Sequence, residues 1–579
     1  NGNDFTVNNF SVSSGDGNDS RTDTPTLRKA TLNSITGWTY NATLKNGALE
    51  MTGSAGFKEI STIAIDGTSK LYYELVRTNA AGWQLVGIFI GQPNNPSNAL
   101  TNSAIWGFAS TQAQYFGGTY TSTGNVPSWS VGNVMGIKYE NGTLKLYKDG
   151  TLATSNATGI PTDDIIFAYI ANDNTNAASF VRFDSDSWTQ ATAAGVDSTW
   201  ELSGKNLPPN VPSIVRPQRH FDVATWTGNN TAGRLIPLEF KPDFVWVKCR
   251  SAGHDHQVTD SVRGSSKALA ANLNEAEIDW DVLYSGNNKG MGDYVNGGFI
   301  LDDDGNNARY NNTGQTYVAW CWKAGGSSNT FNVDGKGYAS TSAAGITDGS
   351  IALTGASVNR EAGFSIVSYS GTGSAGTIGH GLGKVPKWIV TKRRSGTEDW
   401  KVYHSNIDGG KFKKLNNGAQ AQTSNSDVYP DTAPTSSVYS LGNHVSVNGS
   451  GDTYIAYCWA EIPGYSKFGE YLGNNSADGT YVHLGFKPAW IMVKLISGDN
   501  WYMSDVKRDP FNVHDHRLFA DTNAAEGAIG QEHVDFLSDG IKFRRAKTPF
   551  NSNLGKHIYM AFAEQPGGVT PYRTSPNAR

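Results

Sequence analysis

The sequence predicts an all-β, multidomain chain: a β-sandwich followed by three related β-rich modules. Three observations carry that prediction. First, charged residues are only 17% of 579 residues, aromatics are 11%, and glycine reaches 66. That profile suits an ordered β protein with neutral polar turns and argues against disorder. Second, tight-turn pairs such as Asn141-Gly142 and Asp149-Gly150 supply the positive φ that two-residue hairpins require. Third, the last two-thirds of the chain is one unit of roughly 100 residues written three times.

The elements follow in order. Residues 1–25 are polar and read as a connector. The opening Asn1-Gly-Asn-Asp-Phe5, with no initiator Met, is expected to be the interior of a longer or processed chain. Residues 26–195 hold short strands: Leu71–Val76, Gln84–Ile90, Asp164–Ile170, and the hairpin Val134–Glu140 with Thr143–Lys148. In that hairpin Leu144 and Leu146 alternate with Lys145 and Lys148, predicting one buried and one wet face. A Pro-rich linker is expected over 196–217 and a Gly/Ser/Thr-rich linker over 327–361. The modules occupy 218–326, 362–467 and 468–568, with a polar tail at 569–579.

Each module opens with an aromatic and a glycine turn: Trp226-Thr-Gly228, Tyr369-Ser-Gly371, Tyr471-Leu-Gly473. Each continues into a strand that ends in lysine, at Lys248, Lys392 and Lys494. Each closes with an apolar strand: Tyr317–Trp322, Tyr454–Trp459, and, by the same pattern, Tyr559–Glu564. That alignment sets Cys321 beside Cys458 and gives the third copy Phe562 or Ala563, so the cysteines read as small buried hydrophobes, not a disulfide framework. Trp388 recurs as Trp490 and Trp400 as Trp501, which predicts core roles.

Several function classes are disfavoured. Net charge is −5, so no electrostatic footprint for nucleic acid exists. No apolar run has transmembrane length. Gly371-Thr-Gly373-Ser-Ala-Gly376 matches a dinucleotide fingerprint, but a strand pattern, not a helix, follows it. Asp302-Asp-Asp-Gly305 lacks the rest of a calcium loop and reads as a hairpin turn. No nucleophile elbow or helical zinc motif occurs, and carboxylates such as Asp279, Asp281, Asp302 and Asp535 lack the spacing of a glycosidase pair. The chain is expected not to be an enzyme and to need no cofactor.

Two candidate sites remain. His254 with His256, and His514 with His516, are i,i+2 pairs that would share one face of a strand as metal half-sites. Tyr115, Phe116, Tyr120 and Trp129 are rigid aromatics in a Gly/Ser/Thr-rich loop, a composition suited to glycan or protein recognition.

Two resemblances bear on these expectations. Tyr72-Tyr-Glu74, Trp83 through Gly87-Ile88, Gly136–Gly142 running into Leu146–Gly150, and Phe180–Phe183 resemble concanavalin-like jelly-roll domains of the SPRY kind. That resemblance implies a jelly-roll-like sandwich that binds through its loops. Gly449–Glu461, Gly464–Gly469, Gly485–Trp490 and Tyr559–Glu564 are similar to a module of tail-fibre-like structural proteins of marine tailed bacteriophages. It implies a virion appendage, homotrimeric, meeting other virion proteins and a host-surface glycan or protein, without membrane insertion. A head-decoration fibre or bacterial adhesin, and a glycan-depolymerase tailspike, are the alternatives.

Overall fold

The computed structural model describes residues 30–32, 43–45, 49–53, 57–79, 82–91, 104–122, 124, 126–162, 164–172, 177–203, 213–284, 290–303, 308–347, 349–527 and 534–566. The expected connector 1–25, the proline run 207–212, most of the Asp302–Asn306 turn and the tail 569–579 lie outside or largely outside these residues. The chain is all-β, as its composition predicts, and divides into two compact units: one within residues 1–211, the other built from 212–479 and 483–568.

In the first unit two antiparallel sheets form a sandwich. One sheet has seven strands and the other six. The predicted hairpin is present, with Asn141 and Gly142 at φ 42° and 77°. Leu144 and Leu146 point into the sandwich with Leu71, Tyr73, Val86, Ile88 and Ile166, while Lys145 and Lys148 stay partly exposed. Tyr73 closes the core by donating its hydroxyl to the Gly87 carbonyl at 2.7 Å. On the far face Glu74 is fully buried, and it accepts from Thr189 N at 2.9 Å, Gln190 N at 2.6 Å and Arg182 Nη1 at 3.0 Å. A buried carboxylate satisfied this way ties the segment around Trp188 to the sheet.

The second unit contains all three modules. In each, the closing strand lies inside the main sheet, paired on one side with the opening strand and on the other with the lysine-ending strand. Thr316–Trp322 lies between Phe221–Thr227 and Phe244–Cys249. Thr453–Ala460 lies between Phe364–Ser370 and Pro386–Arg393. Lys556–Gln565 lies between Ser466–Leu472 and Lys487–Leu495.

Both faces of the closing strand are covered, which explains its unbroken apolar run. In the first module Tyr317, Ala319 and Cys321 face the module's own core with Ile236 and Phe299. The alternate residues face the other modules. Trp322 lies 6.1 Å from Trp459, 5.5 Å from Trp490 and 5.5 Å from Phe562, ring centre to ring centre. The three copies therefore surround one shared aromatic core.

The pairing register corrects the sequence alignment of the third copy. Trp226 pairs with Tyr317, Tyr369 with Tyr454, and Tyr471 with His557, not Tyr559. Ala561, not Phe562 or Ala563, therefore stands where Cys321 and Cys458 stand. Tyr559 takes the place of Ala456, and its partner Gly469 takes the place of Val367. A Cβ on Gly469 would come within 2.6 Å of the Tyr559 hydroxyl, so the large ring and the missing side chain compensate. All three cysteines are buried and unbridged.

The expected linker 327–361 is instead structured. Phe331–Val333, Lys336–Tyr338 and Leu353–Asn359 extend the second module's sheet to nine strands. Its serines and asparagines carry internal bonds rather than flexibility: Ser357 Oγ accepts from Gly325 N and donates to Gly326 O, both at 2.8 Å.

Candidate functional site

The glycine turns are structural in every copy. A Cβ on Gly228, Gly371 or Gly473 would sit 2.1–2.2 Å from a backbone oxygen of the strand-leading loop opposite. Three fully buried asparagines, Asn311, Asn448 and Asn551, hold these turns, a role not visible in the sequence patterns. Their Oδ1 atoms accept from Asn229 N at 3.2 Å, Thr372 N at 2.8 Å and Asn474 N at 2.9 Å. A strand, Gly376–Gly379, follows the fingerprint-like turn, so the helix N-terminus that a dinucleotide needs is missing there.

The histidine pairs divide. His256 is fully buried; Nδ1 accepts from Trp246 Nε1 at 2.9 Å and Nε2 donates to the Phe519 carbonyl at 3.1 Å. With both nitrogens committed, it has no lone pair to offer a metal, so the His254–His256 half-site does not form. His254 sits half-buried in the preceding turn. His514 stacks on Phe536 at 4.0 Å. His516 Nδ1 pairs with Asp509 and lies 3.4 Å from Asp515 Oδ1. Asp509, Asp515 and His516 form a cluster of possible ligand atoms within 4.8 Å of one another, and the Asp509 carboxylate already takes hydrogen bonds from Asp515 N, His516 N and His516 Nδ1.

Of the four first-unit aromatics, two are core. Trp129 is buried and donates to Gln84 Oε1 at 3.1 Å, and Tyr115, on a strand and not in a loop, is buried and stacks with Trp83 at 6.3 Å. Phe116 is half-buried against the core and stacks on Trp106 at 5.7 Å. Tyr120, on the exposed edge strand Thr119–Ser122, is the one that meets solvent, at 57% exposure.

The second module holds a site that neither expectation covers. Strands Pro386–Arg393 and Lys401–His404 pair Ile389 with Tyr403 on the face turned away from the shared core. Across them runs the loop 425–437. An Asx turn starts it, with Asn425 Oδ1 accepting from Asp427 N at 2.9 Å, and Thr435 Oγ1 ends it, accepting from Val438 N at 3.0 Å. Tyr429 is laid on the sheet by hydrogen bonding with Thr391 Oγ1 at 3.1 Å and by donating to Lys401 O at 3.4 Å. Between loop and sheet is a cavity of about 160 Å³, lined by Ile389, Tyr403, Tyr429, Pro430, Pro434 and Tyr439 with a polar edge of Ser405, Asp431, Thr432 and Ser440.

Two features shape this cavity. A Cβ on Gly409 would fall 1.7 Å from Asp431 Oδ1, so a glycine there lets the carboxylate lie against the backbone at the rim. Burial raises the hydroxyl pKa values of Tyr403, Tyr429 and Tyr439, keeping them neutral donors and acceptors. The sister modules fill this place. Tyr403 corresponds to Thr259 and Ser504, which are fully buried, and Ser504 lies under His514 at 3.4 Å.

The model of a family described as a domain of unknown function, DUF7483, matches residues 216–566. No curated protein matches the chain. Solved structures give weak likenesses. The SPRY domain of human HERC1 is 14% identical over 24% of this chain and 91% of its own, with TM-score 0.22. The TRIM65 PSpry domain is 11% identical over 27% of this chain and 92% of its own, with TM-score 0.22. Stonustoxin is 16% identical over 26% of this chain and 27% of its own, with TM-score 0.21. Scores this low carry no argument; the sandwich rests on its own strand order.

Proposed function

We propose that this chain, which belongs to the DUF7483 family, is a non-catalytic attachment protein: a subunit of a virion fibre, tail fibre or related appendage, that engages a host-surface glycan or protein. The observation that supports it most is the contrast between scaffold and loops. The groups repeated in all three modules are buried glycines, asparagines, lysines and aromatics that hold the modules to themselves and to each other. The features that differ are surface loops, and the second-module cavity is among them. Repetition of packing with variation at the rim suits a binding scaffold rather than a repeated active site. The tail-fibre-like motifs at Gly449–Glu461 and Gly485–Trp490 support the virion setting. The joints between modules are satisfied within one chain, so a homotrimer would be built on other surfaces.

The test is competition. Purified chain should bind host cells saturably and slow infection by the parent particle. Absence of both effects would leave a spacer or head-decoration role. Release of oligosaccharides from surface polysaccharide would instead establish the depolymerase alternative.

A further inference from the structure

We infer that the second-module cavity is a subsite for a single neutral pyranose of a surface polysaccharide; this rests on the host-surface reading above. Size comes first. A space of about 160 Å³ falls below the ~300 Å³ at which drug-sized pockets begin, and exceeds what one ordered water at ~30 Å³ occupies. It suits one six-membered ring.

Chemistry narrows the occupant. The partly exposed walls are Tyr403 and Pro430, flat apolar surfaces against which the C–H face of a sugar ring can rest, backed by buried Ile389, Tyr429 and Pro434. The Tyr403 and Tyr429 rings meet at 61° with centres 6.1 Å apart, giving a corner rather than a slot. The rim supplies hydroxyls from Ser405, Thr432 and Ser440, and the carboxylate of Asp431, which can accept from two neighbouring sugar hydroxyls at once. Among the described residues no lysine, arginine or histidine lines the cavity, and one carboxylate does. That charge arrangement disfavours phosphates and uronic acids. A single carboxylate also falls short of the ligand count a divalent cation needs.

Loop anchoring supports a preformed site. Tyr429 is 4% exposed and bonded at its hydroxyl, and caps close both loop ends. Little ordering cost would remain for the ligand to meet.

The experiment uses the full chain and a panel of free monosaccharides: neutral hexoses, N-acetylhexosamines and uronic acids, followed by NMR titration. At least one neutral sugar should saturate with a Kd in the range of about 1–10 mM. Asp431→Asn, at an exposed rim residue whose change leaves the fold intact, should weaken it about tenfold, and Tyr403→Ala should abolish it while the melting transition is retained. The inference is overturned if no neutral sugar binds, if the two variants bind as wild type, or if uronic acids or a quaternary ammonium probe bind in their place. Cell binding read in parallel separates the two claims. Wild-type cell binding retained by Tyr403→Ala would sink the subsite and leave the attachment reading standing.

Discussion

The three joints between modules share one geometry but not one chemistry. At each, a ring N–H of one module donates to the same carbonyl of the next: Trp400 Nε1 to Ala270 O at 2.9 Å, Trp501 Nε1 to Lys414 O at 3.0 Å, and His256 Nε2 to Phe519 O at 3.1 Å. A backbone bond repeats beside it, from Glu277 N to Arg394 O, from Gln422 N to Ile496 O, and from Glu526 N to Arg250 O. Each series closes a ring, and the two run in opposite senses around it. At two joints an ion cluster lies underneath. Fully buried Arg263 pairs with Asp260 and Glu277, and Arg394 reaches Glu277 from the second module. Fully buried Arg508 pairs with Asp505 and Glu526, and Arg250 reaches Glu526 from the first. At the joint of the second and third modules the same places hold His404, Ile407, Gln422 and Ile496. One further buried lysine, Lys413, stands there, beside Lys494, whose counterparts Lys248 and Lys392 are buried on carbonyls as well. Lys413 donates to the carbonyls of Gln420 and Ile496, and Lys494 to those of Gly418 and Asp499. One architecture is thus closed with buried ion clusters at two joints and, at the third, with an additional buried amine, Lys413, on backbone carbonyls.

Breaking an ion cluster should cost most. Arg263→Met leaves Asp260 buried without its guanidinium and Glu277 with Arg394 alone, a loss of about 3–5 kcal/mol. Arg508→Met should match it, because its partners are equivalent. Denaturant midpoints at unchanged slope would measure both. A loss under about 1 kcal/mol in either would show that the clusters do not hold these joints.

Lys413→Met should do the opposite. Burial, with Lys494 nearby, lowers the Lys413 pKa to about 7 from 10.5. The sign follows from proton counts. Between pH 7 and 10.5 the unfolded chain binds the proton and the folded chain does not, so this group's contribution rises with pH there. Below pH 7 the folded protein carries the full cost of a buried charge. The Lys413→Met variant should therefore be more stable than wild type by about 1–3 kcal/mol at pH 6, and the gain should shrink toward pH 10. A pH-independent difference between the two proteins would refute the assignment.

This contrast was only partly legible in the sequence. The recurring turn, the lysine-ending strand and the roles of Trp388, Trp490, Trp400 and Trp501 could be read from repetition, and all four tryptophans are buried. The third copy's register could not, because a two-residue slip keeps every side chain on its face. Gly469 opposite Tyr559 was the available clue. His256 hid for another reason. It looked like half of a metal pair, whereas it stands where Trp400 and Trp501 stand; the ring N–H persists while the residue type changes. The cavity escaped because Tyr403 lies in a stretch whose tryptophan repeats. Its partners, Tyr429 and Asp431, come from a loop whose sequence does not repeat in the sister copies, and only folding brings them to Tyr403.

The smallest effect concerns those ring donors. Trp400→Phe and Trp501→Phe each remove one N–H from a joint carbonyl, so each should cost about 1–2 kcal/mol, with little change between pH 7 and 5. His256→Phe should exceed that loss at pH 7, because Trp246 Nε1 also loses its acceptor, and should differ in acid. Burial lowers the His256 pKa well below 6.5, and Nδ1 is needed as the acceptor for Trp246. Between the unfolded value near 6.5 and the depressed folded one, the unfolded chain binds more protons, so wild type loses stability as pH falls through that window. The His256→Phe variant lacks the titrating group, and its deficit should narrow as pH drops from about 6.5 toward about 4.5. His404, also buried with its pKa lowered to about 3, lies at the joint of the second and third modules and titrates in both proteins, so it cancels in the difference. A deficit that stays constant with pH would mean that the His256 ring serves this joint by packing and not by its neutral, hydrogen-bonded form.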